Sequence, residues 1–317
     1  MLIALDNQFQ ACFMAPTEIL AFQHYNNLKS MLNDMPIRVE ILTGSTKSSI
    51  RKEIHEKLLN RDINIIVGTH SLIEDKVLFK NLGIVIIDEQ HRFGVAQRAK
   101  LWYKNKLPPH ILVMTATPIP RTLAMSIYGD LDFSIIKELP PGRKQIKTYL
   151  MGENNRLRLF KFIREQIKIG KQVFIVYPLI EESKKMDYKD LMDGYESICR
   201  EFPLPRYKVS IMHGKMKTEA KDYEMKRFLQ GKSQIMVSTT VIEVGVNIPN
   251  ANVMIIESSE RFGLSQLHQL RGRVGRGSDQ SFCILMKGKK ISKDAELRLK
   301  TMVKTSDGFE IAEVDLK

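Results

Sequence analysis

Residues 83–91, Gly83-Ile84-Val85-Ile86-Ile87-Asp88-Glu89-Gln90-His91, join a run of branched apolar side chains to two acids and two further polar groups. A strand buried on both faces reads as such an unbroken run, and the polar residues after it stand at the carboxyl end of the strand, where open α/β sheets bind their ligands. Similar short runs recur at 12–15, 63–67, 111–114, 173–177, 209–212, 235–237, 253–256 and 282–286, with helical stretches between them. This alternation predicts parallel sheets covered by helices, an α/β architecture. Leu159, Phe160, Ile163 and Ile167 make one helical stripe, which stops at Gly170. A second helix is expected over 218–229, opened by a capping Thr218, with Tyr223, Met225, Phe228 and Leu229 facing a core and Gly231 as its stop.

The alternation breaks at 138–144 (ELPPGRK), where Pro140, Pro141 and Gly142 end any helix or strand, and then restarts. A chain of 317 residues has room for two domains with cores of their own, so the reading is 1–139 and 140–288, followed by 289–317. Within that last piece, 291–302 reads as a basic amphipathic helix that packs on neither sheet.

The balance of 49 Lys+Arg against 36 Asp+Glu leaves +13 and a pI near 9.5, which makes a polyanion, nucleic acid first, the default partner. With 43% hydrophobic and 27% charged residues the composition is that of a globular protein and excludes collagen-like and disordered classes. Cys12, Cys199 and Cys283 lie far apart without C-x-x-C pairing, which argues against a zinc site or a disulfide framework and suits a reducing cytoplasm. No apolar run approaches the roughly 18 residues of a membrane span, and the first residues lack the basic start of a signal peptide. The expectation is a soluble, cytoplasmic protein with no membrane partner.

Two stretches carry chemistry. In a nucleotide hydrolase, Asp88 would hold Mg²⁺ through water, because that ion keeps much of its hydration shell, and Glu89 would polarise the attacking water as general base. The stretch 266–276 (QLHQLRGRVGR) sets Arg271, Arg273 and Arg276 among Gly272 and Gly275. Glycines permit close backbone approach while guanidiniums are aimed at concentrated negative charge, such as a γ-phosphate. Such arginines are worth roughly 10³ to 10⁵ in rate in related phosphoryl transfers.

The stretches 15–18 (APTE), 68–70 (GTH), 88–91 (DEQH), 115–117 (TAT), 238–240 (STT) with Gly245, and 269–276 occur in the order of superfamily 2 helicase motifs. The fuller strings 88–94 (DEQHRFG), 115–122 (TATPIPRT) and 264–277 (LSQLHQLRGRVGRG) resemble the RecG family of branch-migrating DNA helicases, over essentially the whole chain. That resemblance implies two RecA-like parallel-sheet lobes in tandem, the first incomplete, and the start of a C-terminal helical hairpin at 289–317. It implies ATP and Mg²⁺ as cofactors and branched or duplex DNA as partner. It further implies a monomer, and a single-stranded-DNA-binding protein as candidate protein partner.

Residue by residue, it implies contacts to the DNA backbone from Pro16, Thr17, Glu18, Thr69 and His70 in the first lobe and from Ser238, Thr239 and Thr240 in the second; Thr17 is equally well placed to cap the next helix. Gln90 and His91 would sense ATP from the first lobe, and Gly245, Asn247, Gln269, Arg273 and Arg276 would close on it from the second. Many relatives carry Asp at the place of Asn247. Thr115 and Thr117 resemble the motif that links hydrolysis to lobe movement, and Arg298 with 307–316 (DGFEIAEVDL) the first part of the hairpin that turns closure into a pull on DNA.

No G-x-x-x-x-G-K-[S/T] phosphate loop occurs among these residues; Gly44-Ser45-Thr46-Lys47 has the wrong spacing. By the resemblance, that loop and a wedge domain would lie ahead of a helix ending near Leu2–Asp6, and an Arg-Gly-Pro-Gly loop would come after Lys317. The expectation is weak, salt-dependent DNA binding with little or no ATP turnover, and a first sheet short of a central strand. Two other readings stay open. One is the translocase module of a transcription-repair coupling factor, which usually carries Asp-Glu-Glu-Gln at the place of 88–91, and the other is a non-catalytic DNA-binding protein.

Overall fold

The computed structural model describes residues 1–317 except 90–99, 102–103, 106, 116–131, 133, 137, 139, 179–183, 240–247, 249, 276 and 316–317, and except the side chains of 184–189 and 218. The chain divides into two compact units, Met1–Ala116 and Thr117–Lys317. The first contains helix α1 (Leu2–Asp6), strand β1 (Gln10–Met14), α2 (Glu18–Met31), β2 (Val39–Leu42), α3 (Ser48–Asn60), β3 (Ile65–Gly68), β4 (Leu82–Ile87) and β5 (His110–Val113). Its strands pair in the order β2-β3-β1-β4-β5, and every pair is parallel. Hydrogen bonding runs without interruption from β2 to β5 among the described residues. The edge strand β5 leaves Leu112 48% exposed.

The second unit contains β6 (Lys147–Gly152), α4 (Arg156–Lys168), β7 (Gln172–Tyr177), α5 (Lys184–Glu201), β8 (Val209–Met212), α6 (Thr218–Leu229), β9 (Ile235–Thr239), β10 (Ala251–Ile256), α7 (Leu264–Arg271), β11 (Phe282–Lys287), α8 (Lys293–Lys304) and α9 (Gly308–Asp315). Its order is β6-β11-β10-β7-β9-β8, again all parallel. Side chains alternate across this sheet as strand geometry demands. Phe174, Val176, Met236, Met254, Ile256 and Leu285 enter one apolar cluster, while Val173, Ile175, Val237, Val253, Ile255 and Ile284 enter the cluster on the other face.

All nine apolar runs are strands. Two further strands have no such run: β2 is interrupted by Glu40, and β6 alternates exposed and half-buried residues along a sheet edge. The stripe on α4 is as expected, with Leu159, Phe160 and Ile163 buried and Gly170 in the left-handed region at φ +82°. Helix α6 corrects two expectations. Its N-cap is Lys217, so Thr218 is the first helical residue, and only Met225 and Phe228 of the four apolar positions are buried, Tyr223 and Leu229 facing out. Helix α8 corrects a third. Its Leu299 and Met302 sit in the same cluster as Phe174 and Leu285, so the helix packs on the second sheet; three apolar residues one turn apart, Ala295, Leu299 and Met302, form its buried face.

The two units share one internal construction. Gln10, the first residue of β1, donates through Nε2 to Leu58 O (3.0 Å) and Ile63 O (2.9 Å). Gln172, the first residue of β7, donates likewise to Phe228 O (2.6 Å) and Ser233 O (2.8 Å). The side chain of Asn64 accepts from Arg38 N, and that of Gln234 from Lys208 N. The paired residues Arg38/Lys208, Leu58/Phe228, Ile63/Ser233 and Asn64/Gln234 are each 170 positions apart. In both units one arm of the clamp reaches a carbonyl in the last turn of a helix and the other a carbonyl in the loop that follows it.

Candidate functional site

Because the first sheet is wholly parallel, the loops that leave its strands share one edge. The chain runs from β1 toward β2 and β3 on one side, then crosses to β4 and β5 on the other. The crevice between β1 and β4 is therefore the topological switch point, the usual ligand position of an open α/β sheet, and Asp88 and Glu89 stand there. Asp88 N–H donates to Met14 O at 2.9 Å, which fixes its backbone to β1. His24 Nε2 donates to Asp88 Oδ2 at 3.1 Å, since a carboxylate can only accept, and the imidazole stacks on Phe13 with ring centroids 4.4 Å apart. Glu89 is a non-glycine residue at φ +50°, a conformation that costs about 1–3 kcal/mol and concentrates at functional sites. Thr115 Oγ1 donates to Glu89 Oε2 at 3.5 Å, so the structure brings Asp88, Glu89 and Thr115 together at one edge. Gln90, His91 and Thr117 lie outside the described residues.

Among the described residues no cluster of three or more His, Cys, Asp or Glu side chains could cage a metal ion. Mg²⁺ needs no cage when it keeps its water and leans on one or two carboxylates. Asp88, part-exposed and engaged on Oδ2 by His24, fits that role.

Three of the five expected DNA-contacting side chains of this edge, those of Thr17, Glu18 and Thr69, already have work inside the unit. Thr17 is the N-cap of α2, its Oγ1 accepting from Leu20 N. Both carboxylate oxygens of Glu18 accept from Ser45, one from the amide (2.9 Å) and one from the hydroxyl (2.7 Å). Arg51 Nη2 reaches Thr43 O at 2.8 Å, so the loop after β2 is braced from two sides. Thr69 is 2% exposed, with Oγ1 3.2 Å from Ser71 Oγ, while Pro16 is half-buried and His70 exposed. Gly68 has to be glycine, because a Cβ there would lie 2.1 Å from Leu42 O.

In the second unit, β9 ends on Ser238 and Thr239, whose hydroxyl oxygens are buried and have no hydrogen-bond partner among the described residues. Thr240, Gly245 and Asn247 lie outside the described residues. Gln269 is carried by α7, whose start is fixed by Gly263 N–H donating to Gln266 Oε1 at 3.2 Å and whose Leu264, Leu267 and Leu270 are buried. Arg273 comes just after the helix and is buried; Arg276 lies outside the described residues. Arg271 departs from the expected triad of phosphate-facing arginines. It is 3% exposed and donates to Met302 O (2.8 Å), Thr305 O (2.9 Å) and Ser306 O (3.4 Å). Those carbonyls end α8, so the guanidinium works as a helix C-cap. Arg298 Nη2 in turn donates to Glu260 O at 3.2 Å, in the turn just ahead of α7, and Ile311 of α9 is buried in the same core cluster as Leu267. The arginine-bearing helix and the two helices after it are thus one packed body.

His268, on the same helix, accepts through Nδ1 from Arg271 Nη2 at 3.1 Å, since a guanidinium can only donate. Burial, and then the Arg271 charge, push its pKa from 6.5 down to about 4. The unfolded chain takes up a proton at this position near pH 6.5 and the folded chain only near 4, so stability is full above the first value and falls as pH drops toward the second. Between about pH 7.5 and about pH 5 the expected loss is about 2 kcal/mol. Denaturant titrations at both pH values check this, and His268→Gln is expected to flatten the difference; an equally steep loss in that variant would assign it elsewhere.

His24, Arg51 and the capping role of Arg271 were missed by sequence reasoning. Each acts through a partner distant in the chain, and none stands in a motif that announces it.

The DEAD/DEAH box helicase family model matches residues 1–126, and the helicase conserved C-terminal domain model matches 156–278. The chain is 51% identical over 316 residues to the ATP-dependent DNA helicase RecG of Synechocystis sp., covering all of this chain and 38% of that protein. The chain belongs to the RecG family. The RecG of Aquifex aeolicus is 51% identical over 320 residues, with 100% of this chain and 40% of that protein covered. A solved structure of RecG bound to a three-way DNA junction matches with a TM-score of 0.80 at 45% identity, over 100% of this chain and 41% of that one. The chain therefore spans about two-fifths of the length of these RecG relatives, and its two parallel-sheet units are RecA-like lobes.

Proposed function

We propose that this chain is the motor portion of an ATP-dependent DNA helicase that remodels branched DNA, such as stalled forks and Holliday junctions, in recombination and repair. The observation that carries the reading is the acid pair at the switch point, with Glu89 held in a strained conformation beside Thr115, in a chain matched end to end by a RecG solved with a three-way DNA junction. Mg²⁺ supplies, when bound, a positive charge on the phosphate oxygens. Asp88 would hold that ion through water, with His24 fixing the carboxylate, and Glu89 would take a proton from the attacking water. Arg273 and Arg276 supply positive charge where the transition state gathers negative charge, and Gln90, His91, Gly245, Asn247 and Gln269 complete nucleotide binding. Thr115, Thr117 and Arg298 link the chemistry to movement. Backbone amides of the loops at 16–18, 69–70 and 238–240 position the DNA backbone without reading sequence, while the side chains of Thr17, Glu18 and Thr69 hold the first-unit loops in shape. The protein acts as a monomer in the cytoplasm, with a single-stranded-DNA-binding protein as its protein partner.

Without a phosphate loop among its residues, the 317-residue polypeptide lacks the amide cradle and lysine that hold the β- and γ-phosphates. It is expected to bind DNA yet to turn over little or no ATP. Steady-state hydrolysis with and without branched DNA tests this: robust DNA-stimulated turnover by this polypeptide would refute the expected loss of activity, and failure to bind any DNA would sink the helicase reading.

A further inference from the structure

The segment that leads into β6 lies alongside the arginine motif. Pro140 to Arg143 form a tight turn in which Arg143 N–H donates to Pro140 O (3.1 Å) and Gly142 takes φ +81°; Pro141 before a positive-φ glycine is the sequence such a turn demands. The turn aims the Arg143 side chain at the backbone of the motif. Its Nε donates to Gly275 O at 2.8 Å. Gly275 is itself left-handed, at φ +76°, and a Cβ there would meet Ile146 Cγ1 at 2.9 Å, so Ile146 is pressed against the same peptide. Two more contacts extend the seam: Gln280 Nε2 donates to Gln145 O (2.8 Å) and Lys147 N–H to Ser281 O (3.0 Å). On the motif's own side the preceding residue, Val274, is fully buried and anchors the peptide in the core.

We infer that Arg143 is a positioning residue for the nucleotide-facing arginines: its guanidinium grips the Gly275 carbonyl and sets where the flanking Arg273 and Arg276 stand. A charged donor on a carbonyl is stronger than a neutral one and shorter in reach, and the glycine's missing side chain is what lets both Arg143 and Ile146 come so close to the turn. Positioning matters because the electrostatic benefit of an arginine is realised only when it is aimed where charge develops. The inference rests on the reading of Arg273 and Arg276 given above.

Residue-resolved amide hydrogen exchange on this chain tests it. In Arg143→Ala, exchange at Gly275, Arg276 and Gly277 is expected to rise tenfold or more, while β10 and β11 stay within about twofold and the thermal midpoint within about 1 °C of the parent. Arg143→Lys, which keeps a cation able to reach the carbonyl, is expected to recover at least half of the lost protection, and Lys144→Ala to change nothing. Unchanged exchange in the turn, a rise spread evenly over β6 and β11, or no recovery with lysine would each overturn the inference. If exchange behaves as expected but Arg273→Ala and Arg276→Ala leave binding of DNA and of a fluorescent ATP analogue unaltered, the functional reading fails while the grip on the turn stands.

Discussion

Raising the salt from about 50 to about 200 mM is expected to weaken the hold of this chain on duplex DNA by about 500-fold, the result for about five phosphate contacts at a slope near −0.9 per contact. The net charge of +13 makes counterion release the main source of affinity. Backbone groups of the loops after β1 and β3 give it a target, since they suit a partner recognised by its sugar-phosphate chain and not by its bases. Binding isotherms at several salt concentrations, on duplexes of unrelated sequence, check both parts. A slope below one, or strong preference for one sequence, would remove nucleic-acid backbone binding as the basis of function.

The second large effect concerns Arg271. Replacing it with methionine keeps the stem but leaves the buried carbonyl of Met302 and the part-buried one of Thr305, each within 2.9 Å of the guanidinium, without that donor. A buried acceptor left unmet costs about 1–3 kcal/mol, so with one buried and one part-buried a loss of about 3 kcal/mol is expected for the second unit. For a unit of that size the thermal midpoint should fall by about 10 °C. Because the cap joins α7 to α8, the loss should concentrate there: exchange protection of α8 and α9 is expected to collapse before that of the sheet. Lysine should rescue little, since one ammonium cannot span the forked set of acceptors. A variant with an unchanged midpoint would show that α8 is held by Leu299 and Met302 alone.

The sheets were legible because parallel strands buried on both faces need unbroken apolar runs, and 84–87 or 253–256 have no other reading. Strands β2 and β6 were not, because an edge position relaxes that need: Glu40 and Lys147 can face water there. Asp88 and Glu89 could be placed at the carboxyl edge from the sequence alone, since the end of a strand is fixed by where its apolar run stops. What escaped was every partnership closed by the fold. That His24 fixes Asp88, that Glu18 serves Ser45, and that Arg271 turns inward while Arg273 comes two residues later depend on helices whose docking is decided by packing. Thr218 misled because a threonine beside a helix start is a common cap, yet the helix here begins one residue sooner.

The paired glutamine clamps bear on how the molecule is made. Every described strand pair of the first sheet joins residues between 10 and 113, and every pair of the second joins residues between 147 and 287. A ribosome that has released the first of these stretches has released every described backbone partner in its sheet, clamp included, so the nascent half can begin to settle its strand order while the rest is still being translated.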